Sequence, residues 1–327
     1  MESRIGRHWQ EQLEHAAWEH RFLAAKYLAT EPGKHEFDGL SGRDRGVLGR
    51  RLTALLDDMD SRVRTQAAAA LGRLHITAAK DALVAALADP NEWVRVQVGE
   101  ALSSVGDAKT AQVVAGHLEA EEESHVRATL VKTLGIIGDE KMLPVLALYL
   151  EDADSRVRAN DVEAVAKLNV GKAALKKALL RVSDDPSNRV RANTAMALLS
   201  IGEKKGQEML RDMIASKDEY MRASASYALG ELRETGDRAV ILKLLEDTSW
   251  LVRKNAVQAL VKHGRKAIEG VIATLRSKNS MARLGALEVI SRLRAVDARS
   301  AVIDLLEDEA GDVRGKAEET LDALDGY

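Results

Sequence analysis

The sequence predicts an all-α fold: a right-handed superhelix of about nine two-helix repeats, each of about 31 residues, with an N-terminal capping helix. A short motif recurs at this period, and apolar residues follow each copy at helical spacing. Ala and Leu are abundant, whereas Pro occupies only four positions, which favours helix throughout. We expect residues 1–40 to form the capping helix and a loop, and 41–327 to form the repeats, the last of which is a C-terminal cap.

The motif is Asp-Ser-Arg-Val-Arg, which occurs unchanged at residues 60–64 and 154–158. Weaker copies bring the total to nine, and the final Arg of each copy follows the previous one after 30 to 33 residues. Spacing this regular is typical of stacked repeats. The nine arginines are Arg64, Arg95, Arg127, Arg158, Arg191, Arg222, Arg253, Arg283 and Arg314.

Each copy predicts the start of the second helix of its repeat. Four residues before the Arg, seven repeats carry a side chain that can accept hydrogen bonds from the free amides of a helix start. These are Asp60, Asn91, Asp154, Ser187, Asp218, Ser249 and Asn279. Downstream, Val63, Ala67, Ala70 and Leu71 of the first repeat share one helix face. Glycines near the far end predict left-handed C-caps at Gly72, Gly106, Gly138, Gly202 and Gly264.

Upstream of each motif, apolar pairs four residues apart predict a first helix, as in Leu52 with Leu56 and Leu83 with Leu87. Each repeat is therefore a helix hairpin. A hairpin this small cannot bury both of its apolar faces, so neighbouring repeats must stack.

Acidic residues accompany the recurring Arg. Six residues before it, seven of the nine repeats carry Asp or Glu, and the other two carry Ser216 and Ser277. The planar guanidinium suits a carboxylate or the last carbonyls of a helix. We therefore expect the Arg to contact the turn of its own or an adjacent repeat, as a structural ladder, and not to line a phosphate site.

The pattern resembles the HEAT repeats, specifically the short bacterial type named after phycobilisome lyases. The resemblance is clearest in "DDMDSRVRTQAAAALGRL" and "KDEYMRASASYALGEL" and covers about residues 43 to 325. It implies the solenoid fold and the Arg–acid ladder, and it says almost nothing of function.

Function should lie in the positions that vary between repeats. Two residues before the Arg, six repeats carry a basic or aromatic side chain, which we call the stripe: Arg62, Trp93, His125, Arg156, Arg189 and Tyr220. These side chains could bind an acidic or aromatic partner, or could pack over the neighbouring turn.

Charge is segregated along the chain. Residues 171–283 carry 22 basic and 13 acidic side chains, a net charge of +9 within a chain of net charge −3. Six of these cations are expected in inter-repeat loops or first helical turns, where the helix dipole disfavours them. We call them the belt: Lys172, Lys204, Lys205, Arg238, Arg265 and Lys266. An acidic protein surface or a phosphate backbone could explain them, as could simple solvation.

The N-terminal segment does not follow the period. Residues 4–29 predict one long helix that covers the open end of the solenoid, followed by a loop and a cap at Ser41. Its His and Glu residues are spaced as metal ligands could be, but they form no compact set, and we predict no metal and no cofactor. The chain has no Cys, no leader-like segment and no membrane-spanning run, so we expect a cytoplasmic protein.

Asp161 is a departure within the repeats, because it stands where other repeats carry Ala67, Val98 or Leu130. A carboxylate there requires a partner, and a network with Asn160, Asn193 or an Arg is expected. The alternative is a perturbed acid at a functional site.

These observations predict a non-catalytic scaffold that binds another protein on the concave second-helix face and a basic turn edge. One alternative is a nucleic-acid binder that uses the belt. Another is a phycobilin-lyase-like or metal-dependent HEAT enzyme, although no chromophore signature is recognisable. The several His-Glu pairs that HEAT-type deoxyhypusine hydroxylases use to hold iron are reduced here to His35-Glu36.

Overall fold

A computed structural model describes residues 11–30, 42–232 and 237–326, which contain nineteen α-helices and no β-strand. The chain divides into two compact units, Met1–Val182 and Ser183–Tyr327. No helix in the described ranges combines the length and the apolar character that crossing a bilayer requires.

Unit 1 contains ten of these helices. They are α1 (Trp18–Thr30), α2 (Gly42–Ala54), α3 (Ser61–Arg73), α4 (Lys80–Ala85), α5 (Glu92–Val105), α6 (Ala108–Ala120), α7 (Ser124–Ile137), α8 (Leu143–Tyr149), α9 (Ser155–Lys167) and α10 (Lys172–Leu180). Unit 2 contains the other nine. They are α11 (Asn188–Ser200), α12 (Lys204–Ile214), α13 (Glu219–Glu231), α14 (Arg238–Leu244), α15 (Trp250–His263), α16 (Ile268–Thr274), α17 (Ser280–Leu293), α18 (Arg299–Ile303) and α19 (Gly311–Asp325).

The nine predicted second helices are present, as the odd-numbered helices from α3 to α19, and each begins three residues before its Arg. Six of the seven predicted caps are confirmed, because their side chains accept a hydrogen bond from the first turn. Ser249 is the exception: it makes no such bond, and its hydroxyl donates to Glu219 instead. The all-α repeat fold is thus confirmed.

Each second helix buries the face that the spacing predicts. Val63, Ala67, Ala70 and Leu71 of α3 are all fully buried. Within unit 1, α3, α5, α7 and α9 pack on one another in order, and within unit 2 α13, α15, α17 and α19 do the same. The core is therefore a continuous row of second helices in each unit.

The glycine prediction is wrong at three of its five positions. Gly202 and Gly264 have positive φ (85° and 61°), as predicted, whereas Gly106 and Gly138 have extended backbones with φ of −77° and −80°. Gly72 lies inside α3, where an added Cβ would stand 2.7 Å from the Cα of Ala101 on α5. Its role is close helix packing and not a turn.

The same contact recurs in other repeats. A Cβ on Gly135 of α7 would stand 2.5 Å from the Cα of Ala164 on α9, and one on Gly230 of α13 would stand 2.8 Å from that of Ala259 on α15. The Ala-Leu-Gly run of the motif therefore lets consecutive second helices approach at backbone distance.

The prediction of one long N-terminal helix is wrong in its described part. Residues 11–13 are helical, residues 14–17 are not, and α1 begins at Trp18. His15 Nδ1 accepts a hydrogen bond from the Ala17 amide (3.1 Å), which satisfies one amide at the start of α1. Helix α1 packs on α3, where Arg73 donates to the Ala29 and Thr30 carbonyls (2.9 and 2.8 Å). Ser41, His8 and His35-Glu36 lie outside the described residues.

Asp161 on α9 is fully buried, and among the described residues neither carboxyl oxygen has a hydrogen-bond partner. The predicted network is therefore wrong: the Asn160 amide donates to the Ala128 carbonyl (2.9 Å) instead. Burial raises the pKa of Asp161 well above its usual value, the charge of Asp152 raises it further, and Arg181 opposes both. The folded protein thus favours the neutral carboxyl.

We expect Gly135→Ala to lower the free energy of unfolding by about 1–3 kcal/mol, because the new methyl overlaps the α9 backbone. The matched control is Gly116→Ala on α6, where a Cβ meets nothing within 4 Å. That change should raise stability by about 0.5–1 kcal/mol through helix propensity. Denaturant unfolding measures both, and equal effects of the two substitutions would contradict the close-packing role.

We expect Asp161→Ala to raise the free energy of unfolding at neutral pH by about 1–3 kcal/mol, because it removes an unpartnered buried group. A raised pKa in the folded state means that unfolding releases a proton, so wild-type stability should fall as pH rises above the unfolded value of about 4. The gain in Asp161→Ala should therefore grow with pH. Unfolding curves across a pH series measure this, and parallel profiles for the two proteins would refute it.

Candidate functional site

The recurring Arg forms a ladder between successive repeats. Its Nε and Nη2 donate to the carboxylate of the next repeat, as Arg64 does to Asp89 at 2.6 and 2.9 Å. Its Nη1 donates to backbone carbonyls of its own turn, as Arg64 does to Asp58 O at 2.8 Å. Within the two units this pairing joins Arg64–Asp89, Arg95–Glu121, Arg127–Asp152, Arg222–Asp247 and Arg283–Asp308. Arg283 differs in binding its acid through Nη2, while its Nε has no partner among the described residues.

Helix α1 supplies the first rung, since Arg21 donates to Asp58 at 2.5 and 3.0 Å. The acids also hold their own turns: the Asn91 amide donates to Asp89 Oδ1 (2.8 Å), and the Ser249 amide donates to Asp247 Oδ1 (2.8 Å). Burial raises the pKa of Asp247, but the bonds from Arg222 and the Ser249 amide outweigh it, and the net shift is downward. The structural role predicted for the Arg is confirmed.

In unit 1 the basic members of the stripe are paired with other groups of the chain. Arg62 pairs with Asp60 (2.7 Å) and lies over the Trp18 ring, 3.7 Å from its centroid. The hydrogen bond from Arg62 lowers the pKa of Asp60 to about 2, although burial opposes the shift. Arg156 pairs with Asp154 (2.7 Å) and reaches Ser124 Oγ (3.3 Å). These contacts fit the packing interpretation of the stripe.

Trp93 and His125 stack, with ring centroids 4.8 Å apart. The acids beside them, Glu92 and Glu123, could join His125 as a three-ligand metal site, since one atom of each lies within 4.8 Å of the others. However, Glu92 approaches the imidazole Nε2 (3.8 Å) and Glu123 the Nδ1 (4.0 Å), on different edges of the ring. A metal would bind one nitrogen with both acids on its side, which these two closest approaches do not provide. The positive helix N-termini also explain the two acids.

In unit 2 the edge at the start of the second helices is aromatic. Tyr220, at the start of α13, is 59% exposed, and Arg189, at the start of α11, is exposed as well. Trp250, the first residue of α15, is 63% exposed but does not belong to the predicted stripe. It lies three residues before its Arg, one residue away from the position that was compared across repeats. Met281 on α17 is 39% exposed and continues the row.

The belt residues lie at or beside the starts of first helices. Lys172, Lys204 and Arg238 are the first residues of α10, α12 and α14, and Arg265 and Lys266 precede α16. Lys205 lies 3.7 Å from Glu208, and Arg265 lies 3.2 Å from Asp297. Lys204 and Arg238 have no acid partner in the described part of the chain.

Within unit 2 the belt lies apart from Tyr220. Helices α12 and α13 form an antiparallel hairpin. Lys204, at the start of α12, lies the length of an eleven-residue helix, about 16 Å, from the end where Tyr220 lies. The belt residue Lys204 and the stripe residue Tyr220 therefore lie at opposite ends of this hairpin, and the belt lies at first-helix starts, where the sequence predicts it.

Comparisons with known proteins agree with this architecture. No curated protein sequence matches the chain. Kap95p, whose binding induces the switch loops of RanGDP to adopt the GTP-bound conformation, is similar in structure with a TM-score of 0.59 at 11% identity; the match covers 99% of this chain and 50% of Kap95p. Kap121p bound to Pho4p gives a TM-score of 0.52 at 15% identity, covering 98% of this chain and 40% of Kap121p.

This chain thus spans half or less of the length of either structure, and at such low identity the likeness shows the fold alone. A family model described as HEAT repeats matches residues 50–129, 173–260 and 238–322, well over half of the sequence. The chain belongs to the HEAT-repeat family.

Proposed function

We propose that this chain is a non-catalytic scaffold that binds another protein, with its principal contact on the aromatic edge of unit 2. The observation that carries the proposal is the row of exposed large side chains Tyr220, Trp250 and Met281, at the starts of α13, α15 and α17. Aromatic residues and Met are enriched in protein interfaces, and few interface residues contribute as much binding energy as Trp and Tyr.

The aromatic edge continues onto the predicted concave face of the second helices. Lys254 lies over the Trp250 ring at 5.4 Å, and Lys262 lies over the Tyr227 ring at 5.0 Å. A partner docking here would meet aromatic rings flanked by cations, which suits an acidic protein surface. The similarity to Kap95p and Kap121p, which bind other proteins, favours the same class of function.

The finer assignment to the short bacterial HEAT type rests on the motif and its period of about 31 residues, below the roughly 40 or more of longer HEAT units. The absence of Cys from the sequence supports a reducing compartment such as the cytoplasm.

A second candidate function is nucleic-acid binding through the belt. The observation that favours it is the exposed Lys204 and the half-exposed Arg238, which have no acid partner within the described ranges. A phosphate backbone would explain cations that the helix dipole disfavours.

We expect the double variant Tyr220→Ala/Trp250→Ala to lose its protein partner at least tenfold in pull-downs quantified by mass spectrometry, because truncated interface aromatics typically cost about 2 kcal/mol or more each. Ile303→Ala is the matched control, since it also truncates an exposed apolar side chain of unit 2, but on a first helix. Equal retention of every protein by the wild type and the double variant would overturn the proposed surface.

We expect the wild type to bind DNA or RNA weakly or not at all, and Lys204→Glu/Lys205→Glu/Arg238→Glu to change nothing in that assay. Fluorescence anisotropy over a salt series tests this. A slope of log affinity against log salt of about −0.9 per phosphate contacted, lost in the triple variant, would establish the belt as a nucleic-acid interface.

A further inference from the structure

The ladder has two open rungs in unit 2, where the Arg is present and the acid is not. In the five paired rungs named above, the acid follows its Arg by 25 or 26 residues. The residue 25 positions after Arg191 is Ser216, and Ser277 stands 24 positions after Arg253. We call Arg191 with Ser216, and Arg253 with Ser277, the open rungs.

Serine preserves the turn at both open rungs. The Asp218 amide donates to Ser216 Oγ (3.1 Å), and the Asn279 amide donates to Ser277 Oγ (3.1 Å). These bonds replace those that amides donate to carboxylates in the paired rungs, such as Asn91 to Asp89 (2.8 Å). Serine in place of an acid therefore removes the negative charge and the second oxygen, but it keeps the hydrogen bond that forms the turn.

The Arg253 guanidinium is held as in the paired rungs. Its Nη1 donates to the carbonyls of Asp247 (2.6 Å) and Thr248 (3.0 Å), and Arg222 Nη1 likewise donates to Ser216 O (2.9 Å) and Lys217 O (3.0 Å). In Arg222 this leaves Nε and Nη2 to bind Asp247 (2.7 and 2.9 Å). In Arg253 the same two donors have no partner among the described residues.

The Arg191 guanidinium also has a hydrogen-bond donor without an acceptor among the described residues. Its Nε is buried and has no hydrogen-bond partner in the described part of the chain; the same is true of the Nε of Arg283, but Arg283 binds its acid through Nη2. A donor shielded from water without an acceptor is unfavourable, and a charged one more so. A carboxylate from outside the chain would supply the missing acceptor.

We propose that the two open rungs bind carboxylate groups of an acidic partner segment, so that the partner completes the ladder. This inference rests on the proposed function and names the chemistry of its partner. The path from Arg191 on α11 to Arg253 on α15 passes the starts of α13 and α15. Tyr220 and Trp250 lie exposed at these two helix starts. The surface thus offers guanidinium forks for carboxylates and aromatic rings for the side chains between them.

The distance between the two open rungs sets the length of the partner segment. The open rungs are two repeats apart, and helices that pack at 8–10 Å place them about 16–20 Å apart. An extended chain covers that distance in about five or six residues. Glu246 accepts from Ser277 Oγ (2.8 Å) and places an acid beside the second open rung, so we expect the Arg191 rung to bind more tightly.

The test is nuclear magnetic resonance of the arginine Nε–Hε groups in the full chain, titrated first with acetate and then with a synthetic peptide carrying two Glu five residues apart. We expect the Arg191 and Arg253 signals to shift and the paired Arg222 signal to stay unchanged. The peptide should bind about tenfold more tightly than its Gln-substituted analogue, as loss of a charge-assisted hydrogen bond implies.

Variants that place a carboxylate at the two serine positions provide a matched test. Ser216→Asp and Ser277→Asp should close the rungs from within, abolish the acetate response of the corresponding Arg and weaken the peptide about tenfold each. Ser216→Asp should also raise the melting temperature of the protein. Weaker peptide binding by a more stable variant would then not be due to unfolding. Asp247→Ser should open a third rung and make the Arg222 signal respond to acetate.

Acetate shifts of equal size at Arg191, Arg253 and Arg222, or no shift at Arg191 and Arg253, would overturn the proposal. So would unchanged peptide binding in Ser216→Asp. None of these measurements uses a natural partner, so a failed pull-down overturns the scaffold function alone, whereas silent arginine signals overturn the open rungs alone.

Discussion

The fork from one guanidinium to the carboxylate of the next repeat is the contact on which this structure depends. The Arg64 side chain holds its own turn through Nη1 and the acid of the following repeat through Nε and Nη2. That acid in turn accepts a hydrogen bond from the amide of Asn91, the cap residue of the following second helix. The pair is largely shielded from water, with Arg64 13% and Asp89 7% exposed. A pair so shielded must keep good geometry, so it fixes where each hairpin stands on the last.

The apolar row of second helices provides most of the driving force for folding, and the ladder provides its register. Small side chains such as Ala67 and Gly72 allow many sliding positions between two helices, since they offer little relief to interlock. A planar fork allows very few. The core is uniform, since it is built mainly from Ala, Leu and Val. Because the ladder sets the register of the helices, this core still gives one arrangement of the helices within each unit.

Much of this could be predicted from the sequence, because the determinants are local and repeated nine times. A cap such as Asp60, a helix face such as Val63 to Leu71, and an Arg in step with an acid each depend on spacing along one helix or one turn. The errors arose where a residue acts across helices. Gly72 resembles a helix C-cap in sequence, but it serves a neighbour 29 residues away, Ala101. The lack of a partner for Asp161 likewise depends on packing that the linear pattern does not encode.

The serine exchange at Ser216 and Ser277 has a consequence for how such proteins can diversify. Since the hydroxyl retains the turn hydrogen bond, a repeat can release its arginine without refolding its loop. An array of such repeats can therefore carry paired and open rungs side by side, while every turn keeps the same hydrogen bond. Selection on contacts and selection on fold would then act on different residues of one short motif.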